Sequence, residues 1–324
     1  SNPSSYTVES RQITFAAPSR TGYTFVGWFD AEEGGNEIES LAAGSTGNVT
    51  LYARWAIEEF TVTFMDGDET KDTQTVAYGG KATSVSVEKR GYTFLGWFDG
   101  EKEYDFASAV TKDMTLTAKW EIVEYSIIYN NLGGGTNAAG NPANYTVESG
   151  QIVFAAPSRT GYTFVGWFDA ETEGNPITKI DAGSTGNVTL YARWTAIGYT
   201  IGYNLGGGTA DNPETYTVED EIMLEVPART GYTFAGWTGT GLSEATTTVT
   251  IAKGSTGDRV YTATWKAIKY KVTFNANGGK GDTSPIDVTF GSPYGELPTP
   301  ALEGHNFAGC YLGDALVTAQ TIVN

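Results

Sequence analysis

The chain has one histidine, His305, and one cysteine, Cys310, placed five residues apart. A Ser–His–Asp triad or a Cys–His pair needs a nucleophile and a base within hydrogen-bond reach of each other. On a strand, side chains alternate between faces, so this odd spacing sends the two to opposite sides. Both read as substituted core positions. The same two counts exclude a structural zinc centre, which takes several Cys and His ligands, and no cofactor is expected.

Other residues invite chemistry and fall short of it. GGKATS (79–84) and GGKGDTS (278–284) set lysine beside glycine, but Thr75 and Phe274 stand where a phosphate-binding loop needs its first glycine. Asp66, Asp68 and Glu69 cluster without the twelve-residue ligand spacing of a calcium loop, so a solvated turn is expected there. Asp30, Asp99 and Asp169 recur in three copies of a repeat. They are the carboxylates that glycoside hydrolysis would need in pairs, but small repeated modules seldom build a deep cleft. The sequon NVT occurs at 48–50 and 187–189, inside expected strands, and is discounted. No enzyme is expected.

Composition narrows the class further. With 324 residues, 40% hydrophobic and 13% aromatic, the chain can bury a core. Its 38 Asp and Glu outnumber 20 Lys and Arg, giving a net charge of −18, so it lacks the basic surface that a nucleic-acid backbone requires. One cysteine allows no internal disulfide, which an extracellular location tolerates. No apolar run is long enough to span a membrane. No signal peptide or sorting tail is visible, and the sequence starts and stops inside repeats, as expected of a piece of a longer protein.

The elements that would carry any site are announced by repetition. RTGYTFVGWFD (20–30) returns as RGYTFLGWFD (90–99), RTGYTFVGWFD (159–169), RTGYTFAGWTG (229–239) and, altered, GHNFAGCYLGD (304–314). Its tryptophans, Trp28, Trp97, Trp167 and Trp237, lie 69, 70 and 70 residues apart. A second phrase closes each unit, as TLYARW (50–55), TLTAKW (115–120), TLYARW (189–194) and YTATW (261–265), contributing Trp55, Trp120, Trp194 and Trp265. A third opens it: FTVTF (60–64), YSIIYN (125–130), YTIGYN (199–204) and YKVTFN (270–275), followed by glycine-rich turns. A second extended run follows, such as QTVAY (74–78) or YTVES (145–149).

These patterns predict five domains: 1–55, which lacks its opening strand; 56–120, a short variant; 121–194; 195–265; and 266–324, which is divergent and lacks its closing strand. Strand alternation puts Leu190, Ala192 and Trp194 on the core face and Thr189, Tyr191 and Arg193 on the wetter one. In GYTFVGWF both parities are apolar, so the strand is either covered on both faces or carries a bulge at Gly166 that swings Trp167 inward. A unit of about 70 residues is marginally stable by itself. With no disulfide or metal, the eight tryptophans are expected in the cores, each contributing on the order of 2–3 kcal/mol. Four-residue links, AIEE (56–59), EIVE (121–124), TAIG (195–198) and KAIK (266–269), predict almost continuous extended chain between units. An elongated rod on the order of 120–150 Å follows from modules of this size placed in line. The open ends of the first and last units predict local disorder or pairing with a neighbouring chain.

GYTFxGW followed by TLYAxW resembles the Listeria–Bacteroides repeat, seen as the B-repeats of internalin-type bacterial surface proteins. Residues 60–120 carry the resemblance most fully, and it extends over essentially the whole chain. It implies mainly β, β-grasp-like modules with at most a short helical crossover, here at DFASAV (105–110). It also implies a non-catalytic stalk, extracellular and attached to a cell wall or surface through regions outside this sequence. Flanking domains would then meet host or microbial glycans or proteins. The last copy departs from the pattern, with Glu303, His305, Asn306 and Cys310 in place of the usual Arg, Tyr, Thr and Trp. The alternative is a multivalent adhesive module that binds glycans or host proteins directly, with avidity from repeated weak sites. Tyr52, Arg54, Tyr191 and Arg193 are its candidate ligand-binding residues, although Thr117 and Lys119 occupy the equivalent places in the second unit.

Overall fold

The computed structural model describes residues 2–324. It is all β-structure: small sheets recur along the chain, and no helix occurs among the described residues. The chain divides into two compact units. One comprises Ser1–Ile128, Pro142–Val153 and Lys179–Val188, the other Tyr129–Asn141, Phe154–Thr178 and Thr189–Asn324.

The second repeat shows how one module is built. Its opening strand, Glu59–Asp66, turns through Gly67 (φ 58°) into the antiparallel strand Glu69–Ala77. Glycine supplies the positive φ that a two-residue hairpin loop demands. Alternation along the opening strand buries Val62 and Phe64 and leaves Thr61 exposed. The closing strand, Met114–Ile122, lies parallel to the opening strand, with Val62 opposite Met114 and Phe64 opposite Leu116. On its other side runs the aromatic strand, Tyr92–Asp99, antiparallel. The resulting mixed sheet buries Val62, Phe64, Val76, Ala82, Trp97, Val110, Leu116 and Ala118. The fourth repeat repeats the plan with strands Tyr199–Asn204, Tyr232–Gly239 and Arg259–Ala267 around Ile201, Tyr216, Trp237 and Tyr261. In the third, Tyr125–Asn130 pairs with Asn144–Tyr145 and Tyr162–Phe168 pairs with Val188–Ala196.

Every aromatic strand but that of the fifth repeat contains a bulge, which decides between the two sequence readings of GYTFVGWF. Pairing passes from Phe164 opposite Trp194 to Gly166 opposite Arg193, so Val165 is the extra residue. The same step occurs at Phe25/Gly27, Phe94/Gly96 and Phe234/Gly236. Phe164 and Trp167 are an odd three residues apart and would point to opposite faces of a regular strand. The unpaired residue restores them to one side, where their rings meet edge to face at 5.4 Å. Val165, the residue expelled, is 57% exposed, while Trp167 is 3% exposed.

Three expectations need correction. DFASAV (105–110) is not a helix. A tight turn forms instead, in which Asp105 accepts hydrogen bonds from the amides of Ala107 and Ser108. A helix this short cannot offset its nucleation cost. The turn still delivers Phe106 onto Phe64 and buries Val110. Secondly, YTVES (145–149) contributes strand only at its first residue, within Asn144–Tyr145, before a turn closed by Ser149 N–H donating to the Thr146 carbonyl. Lastly, NVT at 48–50 lies outside any strand, because the closing strand of the first repeat begins only at Tyr52. The closing tryptophans are half-buried, Trp120 and Trp265 packing against the cores of their modules, whereas Trp97, Trp167 and Trp237 are fully buried. A closing indole stands at the rim of its module. Trp194 and Trp265 donate Nε1–H to the carbonyls of Asn131 and Leu205, and Trp120 donates to Asp66. Trp28 is also only half-buried, in the repeat without an opening strand.

Two half-buried tyrosines yield an alkaline test. Burial pushes the phenols of Tyr129 and Tyr203 up to about 12, and Tyr203 O–H donates to the Pro213 carbonyl at 2.9 Å. A raised folded pKa means full stability below the unfolded value near 10 and loss as pH climbs toward 12. Urea midpoints are therefore expected to be flat between about pH 7 and 9 and to fall between about pH 10 and 12. A Tyr203→Phe variant should lose less over that interval. An equal loss in the variant would contradict the assignment to Tyr203.

Candidate functional site

The most regular chemistry in the molecule sits at the turn preceding each aromatic strand. Arg20, Lys89, Arg159 and Arg229 each stand three residues before a tyrosine, whose amide donates back to the cation's own carbonyl at 3.0–3.2 Å. The third turn residue is glycine in every case, with φ 77°, 78°, 78° and 76° at Gly22, Gly91, Gly161 and Gly231. The turn folds the cation over the following ring, with Arg159 3.6 Å from the Tyr162 centroid and Arg20, Lys89 and Arg229 similarly placed. Such contacts contribute about 0.5–1 kcal/mol at an exposed site.

The same glycines touch the next repeat. A Cβ on Gly22 would overlap the ring of Tyr78, one on Gly91 Val147, one on Gly161 Val218, and one on Gly231 the ring of Phe290. Glycine is required twice over, by the left-handed backbone and by the close approach. Each glycine carbonyl also accepts from a link residue, the amides of Glu58, Val123, Ile197 and Ile268, at 2.9–3.0 Å. Tyrosine completes the contact. Tyr92 O–H donates to Glu148, Tyr162 O–H donates to Glu219 at 3.0 Å, and Tyr232 meets Phe290 edge to face. The hydrogen bond to the Glu148 carboxylate holds the Tyr92 phenol above its ordinary range, so its proton stays on the tyrosine at neutral pH. At the altered fifth turn, Leu302 occupies the cation's place and Glu303 the residue after it, which revises the sequence alignment of Glu303 with arginine. Gly304 keeps φ 77°, but a Cβ there would meet nothing.

The residues singled out for ligand binding lie on the outer sheet face and are largely tied to their own repeat. The Arg54 guanidinium covers the Phe29 ring at 3.9 Å and donates to the carbonyls of Ala31 and Gly34. Arg193 covers Phe168 at 3.7 Å and donates to Ala170. Lys119 lies over Phe98 in the second repeat. In the fourth repeat both partners change together, to Thr238 and Thr264, whose hydroxyl donates to the Gly236 carbonyl at 2.6 Å. Joint replacement is what a cation-on-ring pair within one module requires. Tyr52 and Tyr191 pair across the strands with Phe29 and Phe168; Tyr52 is exposed and Tyr191 half-buried.

The recurring aspartates organise loops. Asp30 and Asp169 accept from the backbone and side-chain amides of Asn36 and Asn175, and these bonds hold the Asp169 carboxyl below the usual carboxylate range. Cys310 takes over a tryptophan's bond. Nε1–H of Trp28, Trp97 and Trp167 donates to Ala16, Val85 and Ala155, twelve residues earlier, and the Cys310 thiol points at Pro298 O, also twelve earlier, at 3.6 Å. Phe274, Pro298, Leu302, His305, Phe307 and Cys310 are among the residues lining a cavity of about 560 Å³ there. Trp237 Nε1–H is buried without a partner, a state that costs about 1–3 kcal/mol. Among the described residues no group of three or more His, Cys, Asp or Glu is placed to hold a metal, and no helix is long and apolar enough to cross a membrane.

The Listeria–Bacteroides repeat domain matches residues 1–54, 60–119, 125–193, 199–260 and 270–322. The chain belongs to this family. A relative from Evansella cellulosilytica, named as a Gly-rich membrane protein, is 32% identical over 321 residues, covering 93% of this chain and 35% of its own length. A second protein of that organism, named as a membrane protein, is 33% identical over 236 residues, covering 68% of this chain and 34% of itself. Internalin H of Listeria monocytogenes is 40% identical over 137 residues, 36% of this chain and 24% of itself. The chain thus spans about a third of the length of the first two relatives. In these Listeria–Bacteroides repeats, sequence reasoning treated the Gly–Tyr phrase as core and missed that its first half faces the neighbouring repeat. The available signal was the cation three residues before each tyrosine.

Proposed function

We propose that this chain is a non-catalytic spacer of a bacterial surface protein, holding a binding or adhesive region away from its point of attachment. The observation that carries the reading is the recurrence of one contact at all four repeat boundaries: a Gly–Tyr turn seated on the next repeat, with the glycine carbonyl bonded to the link. A tether between independent beads would be glycine- and serine-rich and would leave its backbone in water. Here the link is strand almost to strand, with Ile57 ending one and Glu59 starting the next. The names of the relatives, a membrane protein and an internalin, support a place at the cell surface. In this reading each of the five units, 1–55, 56–120, 121–194, 195–265 and 266–324, is one bead. The eight tryptophans serve the modules and not a ligand.

Small-angle scattering tests the proposal. The expected particle is extended, with a longest dimension on the order of 120 Å or more for modules of this size in line. A double substitution at one junction, Tyr162→Ala with Val218→Ser, is expected to add flexibility without unfolding either neighbour. A compact particle, or a profile indifferent to the junction, would remove the spacer reading.

A further inference from the structure

In the second repeat the opening strand, Glu59–Asp66, and the closing strand, Met114–Ile122, are neighbours inside the sheet and not at its edges. They run parallel, with Val62 to Met65 opposite Met114 to Thr117. The fourth repeat has the same register, Ile201 to Asn204 opposite Arg259 to Thr262. Each strand of the pair is also held on its far side, in the second repeat by Glu69–Ala77 and by the aromatic strand Tyr92–Asp99. A side chain lengthens the parallel ladder at its start. Asp113 Oδ1 accepts the Thr61 amide and Asp258 Oδ1 the Thr200 amide, both at 2.8 Å. Beyond the other end, the amides of Val123 and Ile268 donate to the carbonyls of Gly91 and Gly231 at 2.9 Å, so the grip on the closing strand continues into the link.

These two strands are where the chain enters and leaves the module. The link 56–59 leads into the opening strand at Glu59, and the closing strand leads out at Ile122. Parallel neighbours put those two points at opposite ends of the sheet. Tension along the chain therefore runs along the strands and loads the evenly spaced bonds of the ladder together, in shear. An antiparallel pair, entered and left at one end, would instead open like a zipper, one bond bearing the load at a time. Side chains oppose sliding as well. Val62, Phe64 and Leu116 are fully buried, and a slip of the opening strand by one residue would carry Thr61 and Thr63 to the core face.

We propose that the second and fourth repeats are force-bearing modules, in which the parallel pairing of opening and closing strands is a shear clamp that keeps the repeat folded while the chain is under tension. The inference deepens the spacer reading and rests on it for the source of the tension. The clamp itself is a property of the module and is tested apart from the shape of the array.

The test is single-molecule pulling on the full chain, with Cys310→Ser so that introduced cysteines are the only handles. One variant, Glu59→Cys with Glu121→Cys, loads the second repeat along its strands. The other, Glu59→Cys with Lys112→Cys, draws the same two strands apart from the end at which both begin. All three sites are exposed. Amide exchange at Phe64 and Leu116 is expected to be the same in both variants, so that a difference in force reports direction and not stability. Forced unfolding is governed by the unfolding barrier and not by the equilibrium. At equal loading rate the first pair of handles is expected to yield at about threefold or more the force of the second, because its ladder bonds share the load. Each event is identified by the chain it releases, about 3.3–3.6 Å per residue between the handles. Equal forces in the two directions, or a lower force along the strands, would overturn the proposal and leave an extended scattering profile unaffected. A compact scattering particle would remove the spacer while leaving a direction-dependent clamp in place.

Discussion

Replacing Trp97 by alanine is expected to destabilise the second repeat by about 3–5 kcal/mol, the range for deleting a fully buried large aromatic side chain. For a module of this size that is most or all of its stability. Trp97 is 1% exposed and meets Phe64 and Phe94 edge to face at 4.9 and 5.6 Å. Its Nε1–H donates to the Val85 carbonyl, so truncation also strands an acceptor. Trp120→Ala is expected to cost clearly less, because that indole is half-buried at the module's rim and shares its space with water. Hydrogen exchange at Leu116 and Ala118, measured across a urea series, reads the second repeat separately from its neighbours. If Trp120→Ala proved as damaging as Trp97→Ala, the division between a central and a rim tryptophan would fail.

Gly161→Ala and Gly304→Ala form the second comparison. Both glycines occupy the same turn position with φ near 78° and 77°, so the backbone penalty, about 1–2 kcal/mol for a left-handed residue with a Cβ, is common to both. They differ in what the methyl group meets. At Gly304 it enters open space, and at Gly161 it overlaps the side chain of Val218 in the following repeat. Gly161→Ala is therefore expected to cost more, by about 1–3 kcal/mol of overpacking, and to loosen the Ile197 amide and the Tyr162–Glu219 bond that flank the contact. Adding Val218→Ala to Gly161→Ala should recover part of the difference, which a double-mutant cycle measures. Equal costs at the two glycines would show that the close approach carries no energy.

Much of the architecture was legible before any coordinates. Repeat period, strand alternation and the four-residue links identified an all-β array because each depends on local spacing alone. Leu190 and Ala192, read as inward from alternation, are fully buried. The failures have a common physical origin. DFASAV looked helical by composition, yet six residues hold too little chain to nucleate, and Phe106 and Val110 are placed by the sheet beneath them. Arg54 and Arg193 looked free because alternation points them outward, but alternation cannot show that a ring from the neighbouring strand lies under each guanidinium. The closing tryptophans looked equivalent to the others because the same residue type recurs at a fixed interval.

What the sequence by itself determined is which residues share a face and how often the module recurs, since side-chain period and repeat length are properties of the chain read in order. Tertiary structure alone decided which of two apolar faces becomes interior, where the extra residue of the bulge leaves the ladder, and why a glycine precedes each tyrosine. Those answers depend on atoms far away along the chain: the Phe64 ring that Trp97 must meet, and the Val218 side chain that leaves Gly161 no room for a methyl group. Close packing is a pairwise constraint across space, and one-dimensional spacing carries only the half of it that falls within a strand.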